Sequence, residues 1–275
     1  MGKIRLTILF FFCLLKLSSN ATDSTVNLKL IKTVQGNITD FSVDNLGNVY
    51  LITSTNQIKK FNEKFDSIGL FNDVKRYGSI FSVDATNPLK VLVYYKDFLT
   101  VVVLDRFLNT RNIIDLRKQN IVQARAICQS YDNNIWVFDE LDARIKKIDD
   151  NGKLLLESTD FRMLFDEVPN PSQIIDEDGL LYLYNSKHGF NVFDYYGAMK
   201  SSYPITDLKD IQIQNGFLTG WDSGYLYKAK PQQLLLQKFK LSISLKDAVK
   251  ILASNGLLYV LRKDALSIYA TAIKE

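Results

Sequence analysis

Apolar residues in this chain come in short runs of four to seven that stop at Asp/Asn/Gly turns, and each run leaving a turn carries a Tyr, a Trp or another bulky residue. Six such turns recur: Asp44-Asn45-Leu46-Gly47-Asn48, Asp84-Ala85-Thr86-Asn87-Pro88, Tyr131-Asp132-Asn133-Asn134, Asp176-Glu177-Asp178-Gly179, Gln214-Asn215-Gly216 and Ser254-Asn255-Gly256. Runs of this length, rich in β-branched and aromatic residues and bounded by turn formers, predict strands joined as hairpins. Aligning the units on the second strand superposes Tyr50, Leu92, Trp136, Tyr182, Thr219 and Tyr259, at separations of 42, 44, 46, 37 and 40 residues.

Within each unit four strands are predicted. The third reads 125–130, 135–139, 144–149 and 153–158, with Asn151-Gly152 expected to supply the positive φ angles of a two-residue hairpin between the last two. Units one, two, four and five fill the same template, whereas unit six has three strands, at 249–253, 257–262 and 266–270, and then almost no chain. The missing strand is supplied by 26–31, which precedes the first unit. A period of about 40 residues made of strands throughout is the signature of propeller blades. The predicted fold is therefore all-β: a six-bladed propeller of four-stranded antiparallel blades, closed by the N-terminal strand completing the last blade, which leaves only short, protected edges. A seventh blade would need about 40 more residues, and a two-sheet sandwich would not explain six similar turns. Helix is confined to one turn at 160–165, in a connection between blades.

Composition divides the chain in two. Residues 1–21 carry Lys3 and Arg5 ahead of an apolar stretch at 6–15, then Ser19-Asn20-Ala21, the pattern of a cleaved secretory signal. The apolar stretch is shorter than the roughly 20 residues needed to span a bilayer, so no transmembrane segment is expected once the signal is removed. Residues 22–275 are then one domain, exported to the periplasm or the extracellular space. Of the 34 basic and 30 acidic residues, Lys3, Arg5 and Lys16 leave with the signal, and a near-neutral product with no Lys/Arg run longer than a pair gives no basis for nucleic-acid binding. Cys128, the one cysteine outside the signal, is expected to be a buried thiol in an apolar strand.

Two units carry a family likeness. Residues 41–51, Phe-Ser-Val-Asp-Asn-Leu-Gly-Asn-Val-Tyr-Leu, followed by Ile58-Lys59-Lys60-Phe61-Asn62, and residues 132–137 followed by Ile145-Lys146-Lys147-Ile148-Asp149, resemble the repeat of six-bladed propellers of the NHL and TolB-like type. The Lys and Asn content resembles that of exported proteins of Bacteroidota-type bacteria. The resemblance implies a disc whose loop face binds a protein, peptide or glycan, and some such propellers are metal-dependent lactonases or lyases.

Candidate chemistry is sparse. His188 is the only histidine, which excludes a zinc site built on several imidazoles and a His pair for proton transfer. Asp139, Asp142, Asp222 and Asp264 fall in or beside loops between second and third strands, where oxygen ligands for calcium or magnesium could converge only if those loops bend inward. Asp176-Glu177-Asp178-Gly179 lacks the ligand spacing of an EF-hand and reads as a hairpin turn. Asn37-Ile38-Thr39 matches a glycosylation sequon, relevant only in a eukaryotic secretory pathway. Tyr50, Trp136, Tyr182 and Tyr259 recur at the repeat period and are expected to pack between sheets. Trp221, off that register among Gly220, Gly224 and Asp222, is expected to expose its indole.

These observations describe a monomeric, exported, non-enzymatic binding or scaffolding module without a cofactor. Its interaction face is expected at Thr55, Asn56, Lys96, Asp97, Asp139, Asp142, Lys187, His188, Trp221, Asp222, Arg262 and Lys263, whose mixed charge suits a protein, peptide or glycan. The alternative is a metal-dependent lactonase or lyase-type hydrolase with a divalent cation in the central channel.

Overall fold

The second strand of each repeat is its most continuously apolar stretch, as expected for a strand buried on both faces. These strands form at Val49–Thr53, Lys90–Tyr95, Ile135–Asp139, Leu180–Asn185, Phe217–Trp221 and Leu257–Arg262, the residues anticipated from the pattern. They come from a computed structural model that describes residues 25–231 and 236–271; the signal-like segment 1–21 lies outside the described residues. Each is the second strand of a separate antiparallel sheet. Calling the strands of a blade a to d from the axis outward, blade three runs Ala124–Gln129, Ile135–Asp139, Arg144–Ile148 and Leu154–Glu157. The six a strands touch in cyclic order, the last against the first. The sheets therefore close into a ring, and the fold is the six-bladed propeller anticipated.

The a–b turns use the residues that φ requires. Asp178 and Gly179, Asn215 and Gly216, and Asn255 and Gly256 all have positive φ, the two-residue hairpin whose twist matches that of its strands. The c–d hairpin of blade three differs from expectation. There only Gly152 is left-handed, its amide donates to Asp149 and the Asp149 amide to Lys153, so the loop is three residues long with a glycine bulge.

Six apolar clusters fill the six gaps between adjacent blades. Tyr50, Trp136, Tyr182 and Tyr259 are buried in them, which confirms their packing role, and Cys128 is buried too. The turn foreseen at 160–165 is a 3-10 turn, Phe161–Met163; it inserts Phe161 between blades three and four, stacked 4.8 Å from Phe193. A four-residue helix, Val74–Tyr77, and a second 3-10 turn, Leu116–Gln119, were not anticipated.

Ring closure is more elaborate than a single strand. Lys29–Gln35 pairs antiparallel with Ala265–Ala270 and completes blade six. Thr25–Val26, however, pairs in parallel with the outer strand of blade five, making that sheet five-stranded. The expected strand 26–31 is thus split across two blades, joined where the Leu28 amide donates to Ser242 Oγ at 3.0 Å.

Side chains of the a strands tie neighbouring blades together near the axis. Asp84 Oδ2 accepts from the Gln129 amide at 2.7 Å, Gln173 Nε2 donates to Ile211 O at 2.8 Å, Gln212 Oε1 accepts from the Ala253 amide at 3.1 Å, and Lys250 Nζ donates to Asp40 Oδ1 at 2.7 Å. Inner-edge groups, which have no further strand to pair with, are satisfied in this way.

Candidate functional site

The b–c loops and the d–a connections emerge at one end of the ring, and all the sequence-derived candidates lie in or beside b–c loops. Their side chains divide into two groups. Asn56 Oδ1 accepts from the Ile80 amide at 3.2 Å, fastening blade one to the connection into blade two. Asp139 is buried and accepts from Lys146 Nζ at 2.8 Å. Asp222 Oδ1 accepts from the amides of Gly224 and Tyr225, and its Oδ2 from the Tyr227 hydroxyl at 2.7 Å; burial opposes ionisation, but these bonds outweigh it and hold the carboxyl below its ordinary range. Arg262 donates to Ser244 O at 2.9 Å and pairs with Asp247. These four residues shape loops.

Trp221 corrects the expectation. Its residue is 1% exposed and its Nε1 donates to Asp210 Oδ2 at 2.6 Å, so the indole packs in the gap between blades five and six and anchors nothing outside. Gly220 lies against Ile211 and Leu208, where a Cβ would meet Ile211 Cδ1 at 2.7 Å.

Lys96, Asp97, Asp142, Lys187, His188 and Lys263 remain partly or fully exposed. Five of them lie over blades two to four, and there the loops are cross-linked. In blade three Asp142 pairs with Lys146, and that contact lowers its pKa; Lys146, whose burial alone would lower its own, is raised by Asp139 and Asp142. Arg162 reaches across from the d–a connection to Asp142 O at 3.2 Å and clamps Asp160, drawing that carboxyl to about 2. Gln123 Nε2 donates to Glu140 Oε2 at 2.9 Å. His188 Nε2 lies 3.9 Å from Glu167 Oε1, both side chains more than half exposed.

Sequence reasoning did not find the apolar residues among these polar ones. Leu141 is 55% exposed and Met163 79%, with Phe81, Phe98, Val122 and Leu164 also exposed at this end. Lys96 Nζ sits 4.9 Å over the Phe81 ring. Between the blade-three b–c loop and the following connection opens a cleft of about 190 Å³, lined by Glu140, Leu141, Ala143, Arg162, Val168, Pro169 and Asn170. The available signal was an apolar residue inside an otherwise polar loop, as at Glu140-Leu141-Asp142.

The carboxylates nearest the axis face the gaps between blades. Asp176 Oδ2 accepts from Trp136 Nε1 at 2.9 Å, Ser130 Oγ at 3.0 Å and the Tyr131 amide at 3.3 Å, while its Oδ1 accepts from the Tyr195 hydroxyl. Asp210 is bonded by Trp221 and the Ile251 amide, Asp40 by Lys250. Among the described residues, no group of three or more His, Cys, Asp or Glu side chains is arranged to hold a metal ion.

No protein-family model matches the chain, and no curated protein matches it in sequence. Solved structures do match in shape. A streptogramin B lyase superposes with a TM-score of 0.58 at 15% identity, covering 85% of this chain and 79% of that one. A catalytically inactive variant of virginiamycin B lyase from Staphylococcus aureus, determined with quinupristin, gives 0.59 at 13% identity over 87% and 99% of the two chains. The Pan2 WD40 domain of Neurospora crassa gives 0.63 at 11% identity over 92% and 98%. At such identities the likeness is one of fold, and the fold hosts enzymes and interaction domains alike.

Proposed function

We propose that this β-propeller is an exported binding or scaffolding module that docks a protein or peptide on the loop end of blades two to four. The observation that carries the reading is the set of exposed apolar side chains there, Phe81, Phe98, Val122, Leu141, Met163 and Leu164, around a blade-three loop braced by the buried Lys146–Asp139 ion pair and by hydrogen bonds to its neighbouring connections. Exposed apolar groups rimmed by charge are the composition of a protein-binding surface. A cleft of about 190 Å³ is smaller than the roughly 300–1,000 Å³ that encloses a small-molecule substrate, and it is of a size to receive one anchoring side chain of a partner. The lactonase-type alternative draws on the b–c loop carboxylates, of which Asp139, Asp142 and Asp222 are engaged within their own blades, while the a-strand carboxylates Asp40, Asp176 and Asp210 join blades. The leader-like residues 1–21 support export.

Affinity capture from the native cell envelope tests the reading, comparing the wild-type chain with a Leu141→Asp/Met163→Asp variant of matched thermal stability. A partner retained by the wild type and reduced at least tenfold with the variant is the expected result. Equal recovery by both chains, or lactone turnover that chelation abolishes, overturns it.

A further inference from the structure

Charge is distributed unevenly around the ring. Residues 36–204, which build blades one to four, hold 19 Lys and Arg against 23 Asp and Glu, a net of −4, whereas residues 25–35 and 205–271, which build blades five and six, hold 11 against 5, a net of +6. In the first sector four lysines are engaged by carboxylates, in Lys90–Asp150, Lys146–Asp139, Lys147–Asp132 and Lys200–Asp194, and in blade six Lys250 pairs with Asp40. On the outer strands of blades five and six, Lys29, Lys32, Lys238 and Lys240 are exposed, and among the described residues none has a carboxylate within ion-pair distance. Lys238 and Lys32 lie instead over the rings of Tyr225 and Phe65, at 3.6 and 4.6 Å.

These four lysines lie along one outer wall, a pair at each flank. Thr25 is the register partner of Lys240, and Lys29 follows four residues later, within about 14 Å along the extended chain. Between the lysine pairs stand Leu30 and Ile31, 54% and 57% exposed. Leu30 pairs with Tyr269, whose ring packs in the gap between blades five and six, so Leu30 projects between the two blades. Lys238 pairs with Tyr227, which belongs to the gap between blades four and five, so Lys238 and Lys240 project on the blade-four side, and Lys32 pairs with Ile268, which belongs to the gap between blades six and one, and projects on the blade-one side. The lysine pairs thus flank the wall on its two outward sides, with the aliphatic pair between them.

We propose that the outer wall of blades five and six lies against an anionic lipid surface, its lysines on the headgroups and Leu30 and Ile31 at the acyl boundary. Charge complementarity supplies the attraction and the aliphatic pair distinguishes the lipid surface from a soluble polyanion, which has no apolar layer to receive it. The wall is separate from the loop end of blades two to four, so the two sites operate together and can fail independently.

Co-sedimentation of the full chain with vesicles is the test, using phosphatidylcholine alone and phosphatidylcholine with about one-third phosphatidylserine at about 0.1 M salt. The anionic vesicles are expected to bind more tightly, with affinity falling as salt rises. Each lysine is expected to contribute about fivefold in partition, so Lys29→Gln/Lys32→Gln/Lys238→Gln/Lys240→Gln lowers binding by at least a hundredfold, and Lys238→Gln/Lys240→Gln alone by about 25-fold. Leu30→Ser/Ile31→Ser lowers binding while leaving the salt dependence in place. Exposed Lys→Gln changes leave the thermal transition unmoved, which keeps the comparison on folded protein. Equal binding to neutral vesicles, undiminished binding by the four-lysine variant, binding to heparin or DNA without binding to vesicles, or no binding to either vesicle overturns the proposal.

Discussion

Removing the carboxylate of Asp176 tests how the ring is held together near its axis. Asp176→Ala withdraws the acceptor from the Trp136 indole and the Ser130 hydroxyl, both in buried residues, and from the Tyr131 amide and Tyr195 hydroxyl nearer the surface. A buried donor left without a partner costs about 1–3 kcal/mol. Counting only the two buried donors gives a loss of about 2–6 kcal/mol, a large share of the roughly 5–15 kcal/mol that holds a typical domain. Asp176→Asn keeps one carbonyl oxygen for these donors and is expected to lose about half as much. Urea unfolding followed by tryptophan fluorescence reads both, because Trp136 reports directly on the blade three–four gap. With a urea slope of about 3 kcal/mol per molar, the alanine variant shifts the midpoint by about 0.7–2 M. A shift under about 0.3 M, or an asparagine variant as unstable as the alanine one, would refute the assignment of Asp176 as an inter-blade tie.

Three further outcomes follow from the same geometry. Gly189 has positive φ, and a Cβ there would lie 2.2 Å from Tyr203 O; Gly189→Ala is expected to lower the thermal midpoint by several degrees and to break the start of strand c in blade four, seen as lost amide protection at Phe190. Burial, with Asp84 and Asp176 nearby, pushes the Cys128 thiol well above its ordinary value, so iodoacetamide at pH 8 labels Cys128 only after denaturation; labelling in the native protein would contradict its placement. The Asp142 carboxyl is held below its ordinary 3.8 mainly by Lys146, so its contribution is present above 3.8 and is lost as pH falls through the lowered value. Protection of the Leu141 and Asp142 amides, taken relative to the intrinsic exchange rate at each pH, is therefore expected to fall on acidification below that point in the wild type and to be already low at neutral pH in Asp142→Asn.

The ring was legible in the sequence because its most regular elements are its most buried. Strands such as Lys90–Tyr95 and Leu257–Arg262 pack on both faces and read as unbroken apolar runs, and Asn-Gly or Asp-Gly at the a–b turns of blades four, five and six marks the hairpins there. Outer strands were less legible. Lys29–Gln35 is exposed along most of its length, so no alternation announces where it begins or that Thr25–Val26 belongs to another blade. Trp221 misled because its partner Asp210 lies eleven residues away with positive φ, where the ladder shifts register, and no local pattern encodes that meeting. The loop end was half legible: loop polarity placed Lys96, Asp142 and His188, but the apolar residues beside them look like core residues until their exposure is known.

Site-specific photo-crosslinking tests the central functional claim most directly, with benzophenone side chains placed singly at Phe98 and Leu141 on the loop end and at Leu46 and Tyr196 on the a–b and c–d turns at the opposite end. Adducts to one partner are predicted from Phe98 and Leu141 only, competed by unlabelled wild-type chain and not by Leu141→Asp/Met163→Asp. Adducts from Leu46 or Tyr196 in place of these, or competition by the variant as effective as by the wild type, would contradict the docking face over blades two to four.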